Sequence, residues 1–195
     1  MKEFLQLYQF SLNKFGLREY FRTKRNKLNG SVIKLQSEQI LCFLVRDLLL
    51  KSGKSDRIAP YSPINGEVCT KLINSQIRKS NKSVFDPKII GERMYFVTTN
   101  SLGNLSSVYL GIREPTGEKY IDIRDFDIFI VPAISIGFDG SRLGFDKGFY
   151  DKELENIPRK KIYFLVFDFQ LINTEFGEEH DIKAKKVFTK KKLLQ

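Results

Sequence analysis

Two stretches of the chain are apolar almost without a break. Residues 127–133 read Asp-Ile-Phe-Ile-Val-Pro-Ala, and residues 161–169 read Lys-Ile-Tyr-Phe-Leu-Val-Phe-Asp-Phe. Neither alternates apolar with polar, so neither suits a sheet with one face in water. Their shortness and their β-branched and aromatic residues favour strands buried on both faces. Such strands need helices packed on both sides of their sheet.

The remaining patterns supply those helices. Residues 31–51 carry Ile33, Ile40, Leu41, Phe43, Leu44, Leu48 and Leu49 at helical spacing, and Gly53 follows as a stop. Residues 1–29 read as another helix whose second half is crowded with charge. Arg18 and Arg22 stand one turn apart there, on one face. Further helices are expected over 67–79 and 148–154. Short strands are expected over 57–61, 83–85, 94–98, 108–112 and 186–189, with residues 87–92 as a loop. This alternation predicts an α/β fold, a three-layer αβα sandwich around a mostly parallel, partly mixed sheet. With 195 residues, one domain over 1–195 is expected, with an N-terminal extension at 1–12 and a flexible tail at 190–195.

Composition narrows the class. A hydrophobic fraction of 42% and a charged fraction of 29% are ordinary for a globular domain and exclude wholesale disorder. The net charge of +10 fits either a basic, well-solvated surface or an anionic partner: a nucleotide, a phosphorylated metabolite, a polyglutamylated cofactor or nucleic acid. Cys42 and Cys69 form no CxxC and read as buried free thiols. No apolar run reaches the ~20 residues that span a bilayer, and residues 1–12 lack the layout of a signal peptide. A cytoplasmic protein away from membranes is expected.

The chemistry concentrates in residues 127–154, where a buried strand leads through a glycine-containing loop into a helix start. Ligands of open α/β sheets gather at such places. Gly144 and Gly148 allow close backbone approach. Arg142 and Lys147 add positive charge, and a helix start offers free N–H groups. The spacing suits a phosphate site or, alternatively, a structural turn. It is neither a Walker A loop nor a dinucleotide fingerprint. Asp151, one turn into the helix, either complements the helix dipole or offers an oxygen to Mg²⁺.

Residues 142–151, Arg-Leu-Gly-Phe-Asp-Lys-Gly-Phe-Tyr-Asp, resemble the RLGxGxGYYD segment of 5-formyltetrahydrofolate cyclo-ligases. The likeness continues in order along residues 14–189. Lys14 to Arg18 is similar to that family's K-x-x-L-R element, and residues 61–70 to its segment ending in E-x-x-T. Val131-Pro132 and residues 137–140 resemble VPG…FD..G, residues 164–170 its A-F-x-x-Q strand, and residues 179–181 its acidic E-x-D or HD segment. The resemblance implies an αβα enzyme that turns 5-formyltetrahydrofolate, polyglutamylated or not, into 5,10-methenyltetrahydrofolate while ATP becomes ADP and phosphate. It implies Mg²⁺ as cofactor; a monomer without a nucleic-acid partner is expected besides.

Carried over residue by residue, the family pattern puts Lys14, Phe15, Gly16, Leu17 and Arg18 at ATP. Arg142, Leu143, Gly144, Phe145, Asp146, Lys147, Gly148, Phe149 and Tyr150 join them. Lys147, Arg142 and Tyr150 would act in catalysis. Tyr61, Ser62 and Glu67 would meet the pterin, together with Phe145, Asp146, Lys147, Gly148 and Phe149. Asp151 and Asp181 would hold Mg²⁺. His180, the single histidine, reads as a surface residue. Asp146 replaces the family's second glycine and Ala133 the glycine after Val-Pro. Asp146 therefore leaves a second reading, a folate- or nucleotide-binding member with weakened catalysis. A basic nucleic-acid-binding module and a sugar-phosphate isomerase are more distant alternatives. No RNA-binding motif and no acid/base pair supports either.

Overall fold

The computed structural model describes residues 14–51, 56–71, 76–77, 82–98, 105–109, 112–115, 120–145, 147–173, 177, 181–191 and 193–194. Residues 1–13, which include the expected extension and the start of the first helix, lie outside them, as do Asp146 and His180.

Two helices come first. α1, Lys14–Asn26, buries one residue per turn on a single stripe: Leu17, Phe21 and Arg25. α2, Gly30–Lys51, starts where the Asn29 side chain accepts the Val32 N–H at 2.8 Å, satisfying one of the free amides of a helix start. Then follow β1 (Arg57–Ala59), β2 (Ser83–Ile90), β3 (Arg93–Thr98), β4 (Leu105–Tyr109), β5 (Ile112–Pro115), β6 (Ile128–Val131), β7 (Ser135–Gly137) and β8 (Arg142–Leu143). After α3 (Phe149–Leu154) come β9 (Ile162–Leu165), β10 (Leu171–Ile172), β11 (Lys186–Phe188) and β12 (Leu193–Leu194).

Seven strands form the main sheet in the order β12-β11-β9-β6-β1-β2-β3. From β2 across to β11 every pairing is parallel, while β3 and β12 close the edges antiparallel. The expected α/β class and mostly parallel, mixed sheet are observed. Strand periodicity divides the two apolar runs between two cores. Phe129, Val131, Ile162 and Phe164 pack with Leu154 of α3 on one face. Ile128, Ile130, Tyr163 and Leu165 pack with Ile40, Leu44 and Leu48 of α2 on the other. Leu17 and Phe21 of α1 join Ile134 and Leu143 in a third, smaller cluster. That cluster seats α1 against the segment that follows β6.

Several boundaries differ from the sequence reading, each for a local reason. Glu67–Cys69 are not helical; among the described residues of that segment, helix is seen at Lys71, Gln76 and Ile77. The Glu67 carboxylate instead turns back to accept the Ile64 N–H at 2.9 Å. Residues 87–90 continue β2 rather than forming a loop. Pro87 is tolerated because it lies past the β1-paired end of β2, opposite Phe96. The 161–169 strand stops at Leu165, and Asp168–Gln170 form a 3₁₀ turn. Where one strand over 108–112 was expected, β4 ends at Tyr109 and β5, paired antiparallel to it, begins at Ile112. Leu193–Leu194 pair with β11 where a flexible tail was expected. Cys42 is exposed and Cys69 partly exposed, so neither is the buried thiol expected, though both are free. No described helix is long and apolar enough to cross a membrane.

The 3₁₀ turn carries a structural keystone. Gln170, buried, accepts the Phe167 N–H at 2.9 Å and donates to the Ala133 and Ile134 carbonyls at 3.1 and 2.8 Å. It thus fixes the chain leaving β6. Gln170→Leu keeps the volume and strands three buried backbone groups. A loss of about 3 kcal/mol or more in urea unfolding is expected, since each costs roughly 1–3 kcal/mol. A loss under about 1 kcal/mol would show that these bonds are replaceable.

Candidate active site

Strand order reverses between β1 and β6: the chain moves from β1 to β2 on one side and later from β6 to β9 on the other. Carboxyl ends of strands at such a reversal open a crevice. Tyr61 and Ser62 follow β1, and Pro132 follows β6. All three line a cavity of about 330 Å³. Its wall is largely apolar, with Tyr61, Pro87, Met94, Phe149 and Tyr150 prominent. Glu67 is the one carboxylate among its described lining residues.

Glu67 is presented by a tight turn. Asn65 and Gly66 both have positive φ, 46° and 73°. A Cβ at Gly66 would also lie 3.3 Å from Arg25 Cγ, so only glycine fits without displacement. The flanks are tied down: the Tyr61 hydroxyl donates to Val68 O at 2.8 Å and the Thr70 hydroxyl to Tyr61 O at 2.7 Å. Burial pushes the Glu67 carboxyl up to about 7; the positive charge of Arg25, the Ile64 N–H and Arg142 oppose that rise. Burial, reinforced by the negative charge of Glu67, also pushes the Tyr61 and Tyr150 phenols well above their usual range. Both remain neutral hydroxyls near pH 7, so Tyr150 is not a base.

This has a consequence for stability. Unfolded, Glu67 loses its proton near 4.5; folded, it keeps it to about 7. Between those values the folded protein binds more protons, so this group's contribution falls as pH rises, by on the order of 3 kcal/mol. Glu67→Gln should lack that slope. Urea unfolding of both proteins at pH 5 and pH 8 measures it, and equal slopes would mean that Glu67 ionises normally.

A second cavity, of about 500 Å³, shares Arg142 and Gly148 with the first. Lys14, Arg18, Lys152, Asp151 and Asp181 line it. Arg142 is the hinge between the two. Its guanidinium, buried, donates to Pro132 O at 3.0 Å and to the Asp151 carboxylate, and faces the Tyr150 ring at 6.0 Å. Gly144 lies flat against that guanidinium. Its carbonyl accepts the Arg18 Nε–H at 2.9 Å, tying α1 to the loop. Lys14 reaches Asp181 at 3.0 Å across 167 residues.

The expected site residues divide between the two cavities. Lys14, Arg18, Arg142, Leu143, Gly144, Gly148, Asp151 and Asp181 face the polar one. Tyr61, Ser62, Glu67, Phe145, Lys147, Phe149 and Tyr150 face the apolar one, which Arg142 and Gly148 also line. Three expected ATP contacts line neither cavity: Phe15 points to solvent at 65% exposure, Leu17 belongs to the core, and Gly16 lies between them on α1. The helical turn that aims Lys14 and Arg18 at the cavity aims these three elsewhere.

For a divalent cation, the described residues hold no cluster of three or more His, Cys, Asp or Glu side chains. Two carboxylates in a phosphate-sized cavity nevertheless suit Mg²⁺, which takes one or two carboxylates, waters and phosphate oxygens. Asp151 Oδ1 supports that fit, being a buried oxygen with no hydrogen-bond partner.

Sequence reasoning missed Arg25, Arg22 and Met94. Arg25 and Arg22 place guanidinium carbons 5.1 and 5.5 Å from the Phe145 ring centre. A signal for Arg25 existed: it continues the Leu17, Phe21 stripe at the same four-residue step. Met94 is apolar on a strand edge and carries no such signal.

The sequence profile of the 5-formyltetrahydrofolate cyclo-ligase family matches residues 11–190. The 5-formyltetrahydrofolate cyclo-ligase of Haemophilus influenzae is 26% identical over 150 residues, covering 73% of this chain and 80% of that one. A probable 5-formyltetrahydrofolate cyclo-ligase of Schizosaccharomyces pombe is 33% identical over 147 residues, covering 72% and 71%. Among solved structures, Aquifex aeolicus 5,10-methenyltetrahydrofolate synthetase superposes with a TM-score of 0.81 at 28% identity, covering 92% of this chain and 91% of that one. Profile, relatives and architecture agree: the chain is an enzyme of the 5-formyltetrahydrofolate cyclo-ligase family.

Proposed function

We propose that this chain closes the imidazoline ring of methenyltetrahydrofolate at the expense of ATP, with 5-formyltetrahydrofolate as substrate and ADP and phosphate as the other products. One observation carries this reading: an apolar cavity with one buried carboxylate among its described lining residues meets a cation-lined cavity at Arg142 and Gly148. A pterin is flat, apolar on its faces and rich in adjacent N–H donors, which a carboxylate accepts in pairs. Glu67 is therefore its anchor, with Tyr61, Ser62 and Phe149 beside it.

Lys14 and Arg18 hold the phosphates, and Arg142 and Lys147 stand where the two substrates meet. The γ-phosphoryl passes to the formyl oxygen, making it a leaving group. N10 of the folate then attacks the formyl carbon, the C–O bond breaks to release phosphate, and the N10 proton is lost. The protein's share is positioning and charge stabilisation. Arg142, fixed by Pro132 and Asp151, needs no reorganisation to meet charge on the transferring group. Asp151 and Asp181 would hold Mg²⁺, which neutralises phosphate charge when bound. The enzyme is read as a cytoplasmic monomer.

The experiment is direct. Pure protein, 5-formyltetrahydrofolate, ATP and Mg²⁺ should yield the absorbance of the methenyl product, and omitting ATP or Mg²⁺ should abolish it. No product from folded protein with all components present would defeat the proposal.

A further inference from the structure

Arg25 is buried to 2% exposure, and its Nε, Nη1 and Nη2 have no hydrogen-bond partner among the described residues. A guanidinium so placed costs several kcal/mol unless an opposite charge compensates. Glu67 provides it, with Oε1 3.8 Å from Nη1. That oxygen is itself buried and accepts no hydrogen bond, while Oε2 takes the Ile64 N–H. The pair is close enough to attract and too far apart to hydrogen-bond. Phe145 faces the cation at 5.1 Å, and the Gly66 turn packs on its stem. The wall of the apolar cavity includes Glu67 and not Arg25.

We propose that Arg25 is a positioning residue for substrate recognition, a buried counter-charge that holds Glu67 as a carboxylate while leaving Oε1 for the ligand's N–H donors. This rests on the folate reading above. A hydrogen-bonded arginine would occupy that oxygen; one at 3.8 Å supplies charge without taking a lone pair. Glu67 is faced by Arg25 from α1, Arg142 from β8, Tyr61 after β1 and Tyr150 from α3. Both tyrosines stay neutral near pH 7. Burial pulls Arg25 below its usual range, yet an arginine keeps its proton throughout the pH span of a binding experiment.

The test is calorimetric titration of the full chain with 5-formyltetrahydrofolate between pH 6.5 and 9, with ADP binding as control. Arg25→Met should raise the folate Kd at pH 7 by ~5-fold or more, since an opposite charge at this distance moves a carboxyl by about a unit or more and Glu67 starts at about 7. The gap should narrow towards pH 9, where Glu67 loses its proton unaided. Arg25→Lys, which keeps the charge, should stay within ~3-fold of wild type, and Arg25→Met should add less than ~2-fold in a Glu67→Gln background. A loss equal at both pH values, persisting without Glu67 or extending to ADP overturns the proposal. Arg25→Gln repeats the test if Arg25→Met does not fold. The carboxyl ¹³C signal of Glu67 in wild-type protein needs no variant, and a midpoint well above pH 8 also overturns it. If Glu67→Gln weakens folate binding and Arg25→Met does not, the Arg25 inference alone falls. If wild type binds ADP and no folate, the folate reading falls with it.

Discussion

Replacing Lys147 with alanine lowers kcat for methenyltetrahydrofolate formation by about 10²–10³-fold, the usual scale for removing one preorganised charge from a phosphoryl-transfer or oxyanion site. Lys147 is exposed and lines the apolar cavity next to Gly148, on the wall shared with the polar one. Folding asks little of an exposed lysine, so unfolding free energy should change by no more than about 0.5 kcal/mol. Product absorbance and a thermal melt of the same preparation measure both. An increase in the KM for ATP at unchanged kcat would assign Lys147 to ground-state binding. No change in either parameter would remove it from the site.

Gly144→Ala should be as damaging by a different route. A Cβ there would stand 2.7 Å from both terminal nitrogens of Arg142 and 2.9 Å from its Cζ. A free arginine would swing away. This one is held by Pro132 O and Asp151 and has nowhere to go without breaking both bonds. A shift of about 1 Å in a charged positioning group costs ~100-fold in rate. Overpacking adds roughly 1–3 kcal/mol of destabilisation. The two variants therefore separate: Lys147→Ala stays stable and slow, while Gly144→Ala is slow and less stable. A Gly144→Ala enzyme with wild-type kcat/KM would show that the Arg142 position does not matter.

The sheet was legible because its two central strands are apolar on both faces, and no polar periodicity competed with that signal. Residues 142–151 were legible too, because charge, glycine and helix start coincide in one short stretch. What escaped depends on tertiary contact. Arg25 continues the Leu17, Phe21 stripe, yet it is also one of six cations in and just after α1, and charge outweighs that stripe in a linear reading; Phe145 and the Gly66 turn pack against it in the fold. The helix expected at 67–79 failed at its start because the Glu67 side chain found the Ile64 N–H instead of solvent. Phe15, Gly16 and Leu17 came with Lys14 and Arg18 from one family motif; of the five, Lys14 and Arg18 line the polar cavity, because a helix aims neighbours in different directions. Asp151 shows a subtler gap: its spacing suggested a metal oxygen, and the fold adds that its other oxygen already serves Arg142.

In the proposed reaction, pterin and triphosphate occupy two cavities and meet at Arg142 and Gly148. A crystal structure with Mg²⁺, a non-hydrolysable ATP analogue and 5-formyltetrahydrofolate tests it most directly. The pterin should lie on Glu67, the phosphates between Lys14, Arg18 and Arg142, and the γ-phosphorus beside the formyl oxygen. Phosphates bound elsewhere, or a pterin outside the Tyr61–Tyr150 cavity, would contradict it.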